Sequence, residues 1–230
     1  MIKYRMVFTK GEELRFISHL DYAEVIRRAI LRAKLPVNYS EGFSPHMKMT
    51  FLAALALGVT SDAEYMDVEL TKELATKEIM ERLSLQLPTG IKLLNLKKID
   101  LNCPTRKAQP DMTVYQVEVP LDCKETGSEM VYESFQRFDN EQKAVYHRIT
   151  PKKHQVFDVK QYLSKPIEYE IHGHCLRMLI NIRITLKGSV KASEILQLLK
   201  DSFQLPIEKE NALIHRKSVL YKNRSLIDWV

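Results

Sequence analysis

The first hundred residues alternate between two hydrophobic periodicities, and this alternation restricts the fold more than any other feature. Residues 2–9 show the apolar–polar alternation of a β-strand. Apolar residues then recur at helical spacing from Ser18 to about Lys34, and Pro36 disfavours helical geometry at Leu35. The same criteria predict strands at 47–55 and 64–70, a helix at 71–87 and a further strand at 91–99. This is the element order of a split βαβ, or ferredoxin-like, unit.

The first predicted helix has a clear start and an apolar stripe. Ser18 followed by Asp21 is a capping box, in which the serine hydroxyl accepts a hydrogen bond from a free amide of the first turn. A stripe of apolar residues at helical spacing is predicted to be buried: Leu20, Ala23, Ile26, Ala29, Ile30 and Ala33. Further along, Gly58 and the pair Ser61 and Asp62 predict a turn before the strand at 64–70.

The second half repeats this pattern less regularly. Two prolines in residues 102–110 are typical of a linker. Beyond it we predict strands at 114–120, 144–149 and 213–221, helices at 125–138 and 190–203, a short helical turn at 159–163, and a hairpin of 167–171 with 176–186. We therefore expect an α+β protein with two tandem ferredoxin-like halves and antiparallel sheets. The predicted boundaries are a first domain at 1–100, a linker at 101–111 and a second domain at 112–230.

Composition narrows the class of protein. The chain has 230 residues, of which 45% are hydrophobic and 28% charged, and this describes a folded protein with a substantial core. No apolar run approaches the roughly 20 residues of a membrane span, and the N-terminus lacks the apolar segment of a signal peptide. Three isolated cysteines favour reduced thiols and a cytoplasmic protein: Cys103, Cys123 and Cys175.

The net charge of +6 is unevenly distributed. Residues 1–50 carry nine Lys/Arg against five Asp/Glu, and residues 151–230 carry fourteen against eight, whereas the middle of the chain is acidic. Basic surface attracts polyanions such as RNA, because neutralising phosphates is the main sequence-independent term in that binding. Solvated lysines on a protein with a pI of about 9.1 explain the same charge. The basic segment 148–160 is open to both interpretations.

Residues 18–46 form the predicted functional site. The loop from Tyr39 to His46 offers aromatic rings, hydroxyl groups and a glycine that permits close backbone approach, beside several cationic side chains. Stacking surfaces combined with cations are what single-stranded RNA recognition uses. The predicted RNA-binding residues are Arg27, Arg28, Tyr39, Ser40, Gly42, Phe43, Ser44 and Lys48. A β-turn whose aromatic rings pack on the first sheet is the alternative, and the loop matches neither a P-loop nor a Rossmann glycine pattern.

The same stretch contains candidates for acid–base catalysis. His19 and His46 have the side chain whose ordinary pKa suits proton transfer near neutrality, and Asp21 or Glu64 could orient either ring. Asp21, however, already has a structural role in the capping box. No metal site is predicted, because the histidines have no regular ligand spacing and the pair at 172 and 174 completes no zinc set with the isolated cysteines. No cofactor is predicted either.

Three stretches of the chain together resemble the radical SAM-linked family of uncharacterised bacterial proteins. They are RFISHLDYAEVIRRAILRAKLPVNYSEGFSPHMKMTF at 15–51, LALGV at 55–59 and SDAEYMDVEL at 61–70. That family occurs free-standing or as a C-terminal domain of a radical SAM protein. The DVK and KGSVK stretches at 158–160 and 187–191 match it more loosely, and Lys191-Ala192 replaces an expected Arg-Pro. The resemblance implies a working relationship with a radical SAM enzyme. The chain itself lacks the clustered cysteine triad that ligates an iron–sulfur cluster.

Three functional hypotheses follow. The first is a non-enzymatic RNA-binding accessory module that works with a radical SAM enzyme in tRNA or rRNA modification. The second is a metal-independent ribonuclease or other small enzyme that uses His19 or His46. The third is a protein-interaction adaptor, in which residues 18–45 pack on the radical SAM partner. A site in which His19, Asp21 and His46 converge in one open cleft would favour the second.

Overall fold

The computed structural model describes residues 2–99, 109–122, 128–151 and 153–229. Most of the predicted linker, 101–108, lies outside the described residues, as do Cys103 and Cys123. The chain divides into two compact units, the first comprising Met1–Asp111 with Arg216–Val230 and the second Met112–His215. The C-terminal fifteen residues, which the sequence grouped with the second half, thus make their contacts within the first unit.

Five α-helices and eleven strands form the described chain. In chain order they are β1 (Ile2–Lys10), α1 (His19–Arg32), β2 (Met49–Phe51), β3 (Val59–Leu70), α2 (Thr76–Ser84), β4 (Leu93–Ile99), β5 (Met112–Pro120), α3 (Ser128–Asn140), β6 (Val145–Thr150), β7 (Lys153–Asp158), α4 (Val159–Tyr162), β8 (Glu168–His172), β9 (Cys175–Arg183), α5 (Ala192–Phe203), β10 (Leu213–Tyr221) and β11 (Arg224–Ser225). The fold class is therefore mixed α+β with mostly antiparallel strands, as predicted. Within the described residues, no helix is both long and apolar enough to cross a membrane.

In the first unit, β1 lies between β4 and β3, and β2 pairs with β3, all antiparallel. The two faces of β1 have different partners, because successive side chains of a strand point to opposite faces. Tyr4, Met6 and Phe8 belong to the core that α1 and α2 cover. Val7 points the other way and packs with residues from the C-terminal segment, namely Val219, Leu226 and Ile227. These contacts explain why the C-terminal segment belongs to the first unit.

Helix α1 begins as predicted, but its buried stripe is shifted. Ser18 is the N-cap, and its Oγ accepts a hydrogen bond from the backbone N–H of Asp21 at 3.1 Å. The prediction that Leu20 is buried was wrong, since 79% of it is exposed. Tyr22 takes the inward position instead, and its hydroxyl donates to the carbonyl oxygen of Thr9 at 2.8 Å. An aromatic ring with a polar end suits this site because its hydroxyl can reach a strand carbonyl.

The turn predicted at Ser61 and Asp62 is also wrong, because both residues lie inside β3. Lys10 of β1 is the register partner of Ser61, after an irregularity between Phe8 and Lys10. Pairing along the whole length of β1 therefore overrides the local turn preference of serine and aspartate. The turn itself is at Gly58, whose φ of +79° is a conformation that glycine adopts at little cost.

The second unit contains two sheets. β9 pairs with β5 and β8, and the predicted hairpin of β8 and β9 is confirmed. β6 and β7 form a separate two-stranded sheet. β7 was missed because its sequence, KHQVFD, is polar and basic and has only Phe157 fully inward. Helices α3 and α5 pack on each other, with the rings of Phe138 and Phe203 edge to face at 5.1 Å.

Candidate functional site

The loop from Tyr39 to His46 is an exposed lobe closed at its base. Tyr39 and Met47 form a β-bridge, the backbone N–H of Ser40 donates to the carbonyl oxygen of His46 at 2.8 Å, and the N–H of His46 donates to Ser40 Oγ at 2.9 Å. Gly42, at φ +120°, makes the turn at the far end of the loop. Phe43 is fully exposed there, and Tyr39 is partly exposed. The structural alternative would pack both rings on the first sheet, but neither ring belongs to the core cluster beneath it.

The predicted cations next to this loop all have acidic partners. Glu24 accepts hydrogen bonds from both Arg27 and Arg28, at 2.6–2.7 Å. Those two guanidinium groups, with Arg27 first, lower the pKa of Glu24 to about 2. One carboxylate facing two guanidinium groups leaves a net charge of +1 on this exposed triad. Lys48 forms a longer ion pair, 3.8 Å from Glu69.

The three residues considered for catalysis lie in different surroundings. His19 is half-buried, with its ring edge to face against Phe51 at 5.1 Å. Asp21 is exposed and accepts a hydrogen bond from the hydroxyl of Ser18 at 2.7 Å. His46 is exposed in the loop. No hydrogen bond or ion pair recorded for the described residues joins any two of the three, so the arrangement offers no assembled acid–base pair. Their roles stay predictions.

Sequence reasoning missed a buried charge cluster, formed by Lys10, Glu64 and Arg216 in the first unit. All three side chains are almost completely inaccessible to solvent, and Glu64 is entirely so. Arg216 Nη1 donates to Glu64 Oε1 at 3.0 Å, whereas Glu64 Oε2 is buried without a hydrogen-bond partner. The burial of Lys10 could have been predicted from the alternation of side chains along β1. Lys10 follows Tyr4, Met6 and Phe8 at a spacing of two, the position of an inward residue.

The cations of the buried charge cluster hold two connecting segments. Arg216 donates to the carbonyl oxygens of Ala53 and Ala54, at 3.2 and 2.6 Å. Lys10 Nζ donates to the carbonyl oxygens of Arg15 and Ile17, at 3.2 and 3.0 Å. These carbonyls belong to the connections that follow β2 and precede α1. The buried charge cluster thus fixes where helix α1 starts, and a structural role accounts for its cations.

The electrostatics of the buried charge cluster are dominated by burial. Loss of solvent raises the pKa of Glu64 above its ordinary value, and the charges of Arg216 and Lys10 oppose this. Burial likewise lowers the pKa of Lys10, against the attraction of Glu64. It also lowers the pKa of His19, and Arg216 and Lys10 lower it further. The buried Nδ1 of His19 has no hydrogen-bond partner. His19 is therefore held as neutral imidazole near pH 7.

This environment predicts a pH dependence of stability. When the pKa of a histidine is lower in the folded protein than in the unfolded chain, the unfolded chain binds the proton at a higher pH. Acid then favours the unfolded chain. Its contribution to the free energy of unfolding is thus complete above pH ~6.5, the ordinary value, and is lost as the pH falls through the lowered folded value. We expect the unfolding midpoint temperature to fall between pH 7.5 and 5, and to fall less in His19→Gln. The matched control is His46→Gln, in the exposed loop. Parallel curves for wild type and His19→Gln would contradict the prediction.

The fold and the site define a mixed α+β protein with an exposed aromatic loop and a buried charge cluster. The chain belongs to the family described as "Uncharacterized protein conserved in bacteria (DUF2344)", whose model matches residues 3–194. That description names no partner enzyme. No curated protein matches the sequence.

Several solved structures resemble the fold. A chain in the crystal structure of a Cbf5-Nop10-Gar1 complex matches with a TM-score of 0.50 and 10% identity, over 95% of this chain and 48% of that chain. A chain in the archaeal box H/ACA sRNP Nop10-Cbf5 complex matches with a TM-score of 0.46 and 10% identity, over 100% and 52%. An "Unknown Protein from Galdieria sulphuraria" has 11% identity and a TM-score of 0.26, over 95% and 98%. This chain spans about half the length of the first two. The match with a TM-score of 0.50, at 10% identity, shows a likeness of fold alone.

Proposed function

We propose that this protein is an RNA-binding accessory module that contacts single-stranded parts of tRNA or rRNA. The observation that carries the proposal is the full exposure of Phe43 at the end of a loop with a hydrogen-bonded base. Exposing a large aromatic ring to water is unfavourable, and a ring held in this way can stack on any nucleobase. The contact face consists of helix α1 and the loop from Tyr39 to His46.

The surroundings of Phe43 supply what a nucleotide needs besides a stacking surface. Tyr39, at the base of the loop, offers a second, partly exposed ring. Arg27 and Arg28 share one carboxylate, so a phosphate could replace Glu24 as the partner of either guanidinium group. Gly42 lets a backbone approach closely, since nothing lies within 4 Å of the position a Cβ would occupy. The hydroxyl of Ser44 and the ammonium group of Lys48 would add weaker polar contacts.

The partner and the setting remain part of the proposal. The run at 15–51 and the stretch at 61–70 resemble the radical SAM-linked family, which supports a role beside a radical SAM enzyme that modifies RNA in the cytoplasm. We also interpret the chain as two tandem ferredoxin-like halves. Their boundaries in sequence are 1–100 and 112–230, and the contacts of residues 216–230 place this last segment in the first unit. The order β4–β1–β3–β2 in the first unit supports that interpretation for the first half. The His19/His46 ribonuclease gains no such support from the positions of its residues.

The test is filter binding of the intact protein to total tRNA at a series of salt concentrations. We expect measurable affinity that falls as salt rises, because bound phosphates release counterions. Phe43→Ala should weaken binding about 5- to 150-fold, from the roughly 1–3 kcal/mol per base attributed to stacking. The salt slope should be unchanged, since no cation is removed. The combined variant Arg27→Gln and Arg28→Gln should instead flatten the slope, by about one unit for each lost phosphate contact.

A matched control is available in the second unit. Leu186 is as fully exposed as Phe43, so Leu186→Ala removes comparable apolar surface outside the proposed face and should leave tRNA affinity unchanged. Equal losses in the two variants would reduce the effect to nonspecific apolar contact and contradict the proposal. Absence of affinity, or affinity without a salt slope, would overturn it outright. Gel analysis of the recovered tRNA identifies the ribonuclease alternative, which predicts shortened products that disappear in His19→Ala or His46→Ala.

A further inference from the structure

The hairpin of β6 and β7 has an unusual outward face. Side chains alternate along both strands, so the two histidines share one face and the buried Phe157 points to the other. On the exposed face, two histidines stand among three apolar residues: Val145, His147, Ile149, His154 and Val156. In register, His147 is opposite Val156, and His154 is opposite Ile149. The two imidazole rings are therefore diagonal neighbours across the strands.

The nitrogens of these rings converge. His147 Nδ1 and His154 Nε2 are 3.1 Å apart, and the ring planes are inclined by 31°. Zinc binds imidazole nitrogen at about 2.0–2.1 Å, which separates neighbouring ligand nitrogens by about 2.9 Å in an octahedral and about 3.3 Å in a tetrahedral site. The observed separation lies between these two values. We propose that His147 and His154 chelate a divalent transition-metal ion of the zinc class.

The opposite face of the hairpin fixes the pair in place. Arg148 donates two hydrogen bonds to the carboxylate of Glu194 in α5, both at 2.6 Å, and its guanidinium group lies 4.3 Å from the centre of the Phe157 ring. At the turn, the hydroxyl of Thr150 donates a hydrogen bond to the carbonyl oxygen of Lys153 and accepts one from the N–H of the same residue. These contacts hold both strands, and a preorganised pair loses less entropy when it binds an ion. Glu194 also neutralises the charge of Arg148, which would otherwise repel a metal ion.

The ligand type selects the ion. Imidazole suits zinc, copper and nickel, whereas calcium and magnesium prefer oxygen ligands. The part of the chain that the structure describes contains no group of three or more His, Cys, Asp or Glu side chains placed to hold one ion. The two histidines thus leave coordination positions for water, or for the same pair from a second copy of the chain. Ile149 and Val156, each opposite one of the two histidines, are apolar neighbours of the pair on this face.

The experiment is titration of the full chain with zinc chloride, followed by long-range proton–nitrogen NMR of the imidazole rings. We expect saturable shifts of His147 Nδ1 and His154 Nε2, with smaller changes at the other nitrogen of each ring. His147→Ala and His154→Ala should each weaken zinc binding, measured by calorimetry, by about tenfold or more. Magnesium chloride at the same concentration should cause no shift. Sedimentation of the zinc-bound protein shows whether a second copy or water completes the site, and both outcomes agree with the proposal.

The control is Gln155→Ala, one residue from His154 on the other face of β7, which should bind zinc like the wild type. Far-UV circular dichroism of each variant verifies that the exposed substitutions leave the fold intact. Zinc affinity unchanged in both histidine variants would overturn the proposal. So would ring-nitrogen resonances that stay in place at saturating zinc, because the 3.1 Å approach is then only a hydrogen bond between the two rings. The hairpin lies outside the proposed RNA-binding face, so failure of either proposal leaves the other intact.

Discussion

Replacing Arg216 with alanine is expected to lower the free energy of unfolding by about 3–5 kcal/mol, the usual cost of removing one partner of a buried ion pair. Arg216 is the residue that donates to Glu64 Oε1, and it also satisfies the carbonyl oxygens of Ala53 and Ala54. Without it, a fully buried carboxyl group has lost its closest cation. The loss should be larger at pH 7.5 than at pH 4.5, because protonation removes the uncompensated charge of Glu64 at the lower pH.

The measurement is urea unfolding, followed by the fluorescence of Trp229, the single tryptophan of the chain, which belongs to the first unit. Arg28→Ala is the matched control, since its pair with Glu24 is exposed to solvent and should contribute little to stability. The double variant Arg216→Met with Glu64→Leu should recover part of the loss, because apolar residues of similar size often replace a buried pair without cost. A single variant no less stable than Arg28→Ala would contradict the structural role given to the buried charge cluster.

The elements that sequence alone could predict are those in which local signals and tertiary contacts agree. Helix α1 has its N-cap at Ser18 and ends just before Lys34, whose φ is +52°. The hairpin of β8 and β9 was predicted because two strand-like runs flank Gly173. Where the two kinds of signal conflict, tertiary contacts decide. Ser61 and Asp62 favour a turn locally, but pairing with β1 keeps them in a strand.

The exposure of the loop could be predicted from the sequence, whereas the contacts of the buried charge cluster could not. Exposure of the loop at 39–46 follows from its polar and glycine-containing sequence. The partner of Glu64, in contrast, lies 152 residues away in sequence, at Arg216. No local pattern encodes a contact between residues so far apart. His19 illustrates the same limit, because its ring packs edge to face against Phe51, which is distant in sequence.

The buried charge cluster and the exposed loop are linked by helix α1. Lys10 binds the carbonyl oxygens of Arg15 and Ile17, immediately before the N-cap, and therefore fixes where the helix begins. Arg27 and Arg28 lie about two turns further along that helix. A shift of the helix start would move these cations relative to Phe43. The polar interior of the first unit thus acts on the proposed RNA-binding face by positioning it, without touching the ligand.

The second unit is tested independently by Phe135→Ala, which is expected to cost about 3–5 kcal/mol of stability, the usual range for a buried phenylalanine. Phe135 of α3 is 2% exposed and stacks on Tyr169 of β8, with ring centres 3.8 Å apart and planes inclined by 10°. Alanine would leave a cavity between α3 and β8 and remove the aromatic contact as well. Urea unfolding followed by far-UV circular dichroism gives the total loss.

Tyr132→Ala is the matched control, because Tyr132 precedes Phe135 by one turn of α3 and faces the same ring of Tyr169 at 6.0 Å, but is half exposed. It should cost no more than about 1 kcal/mol, since little apolar surface is buried there. Hydrogen exchange should localise the difference. In Phe135→Ala the amides of α3 and β8 should exchange faster, whereas those of β1 and β3 in the first unit should keep their protection. We assign this aromatic stack as the contact that holds α3 on β8. Equal losses of stability in the two variants would contradict that assignment, and so would faster exchange confined to the first unit.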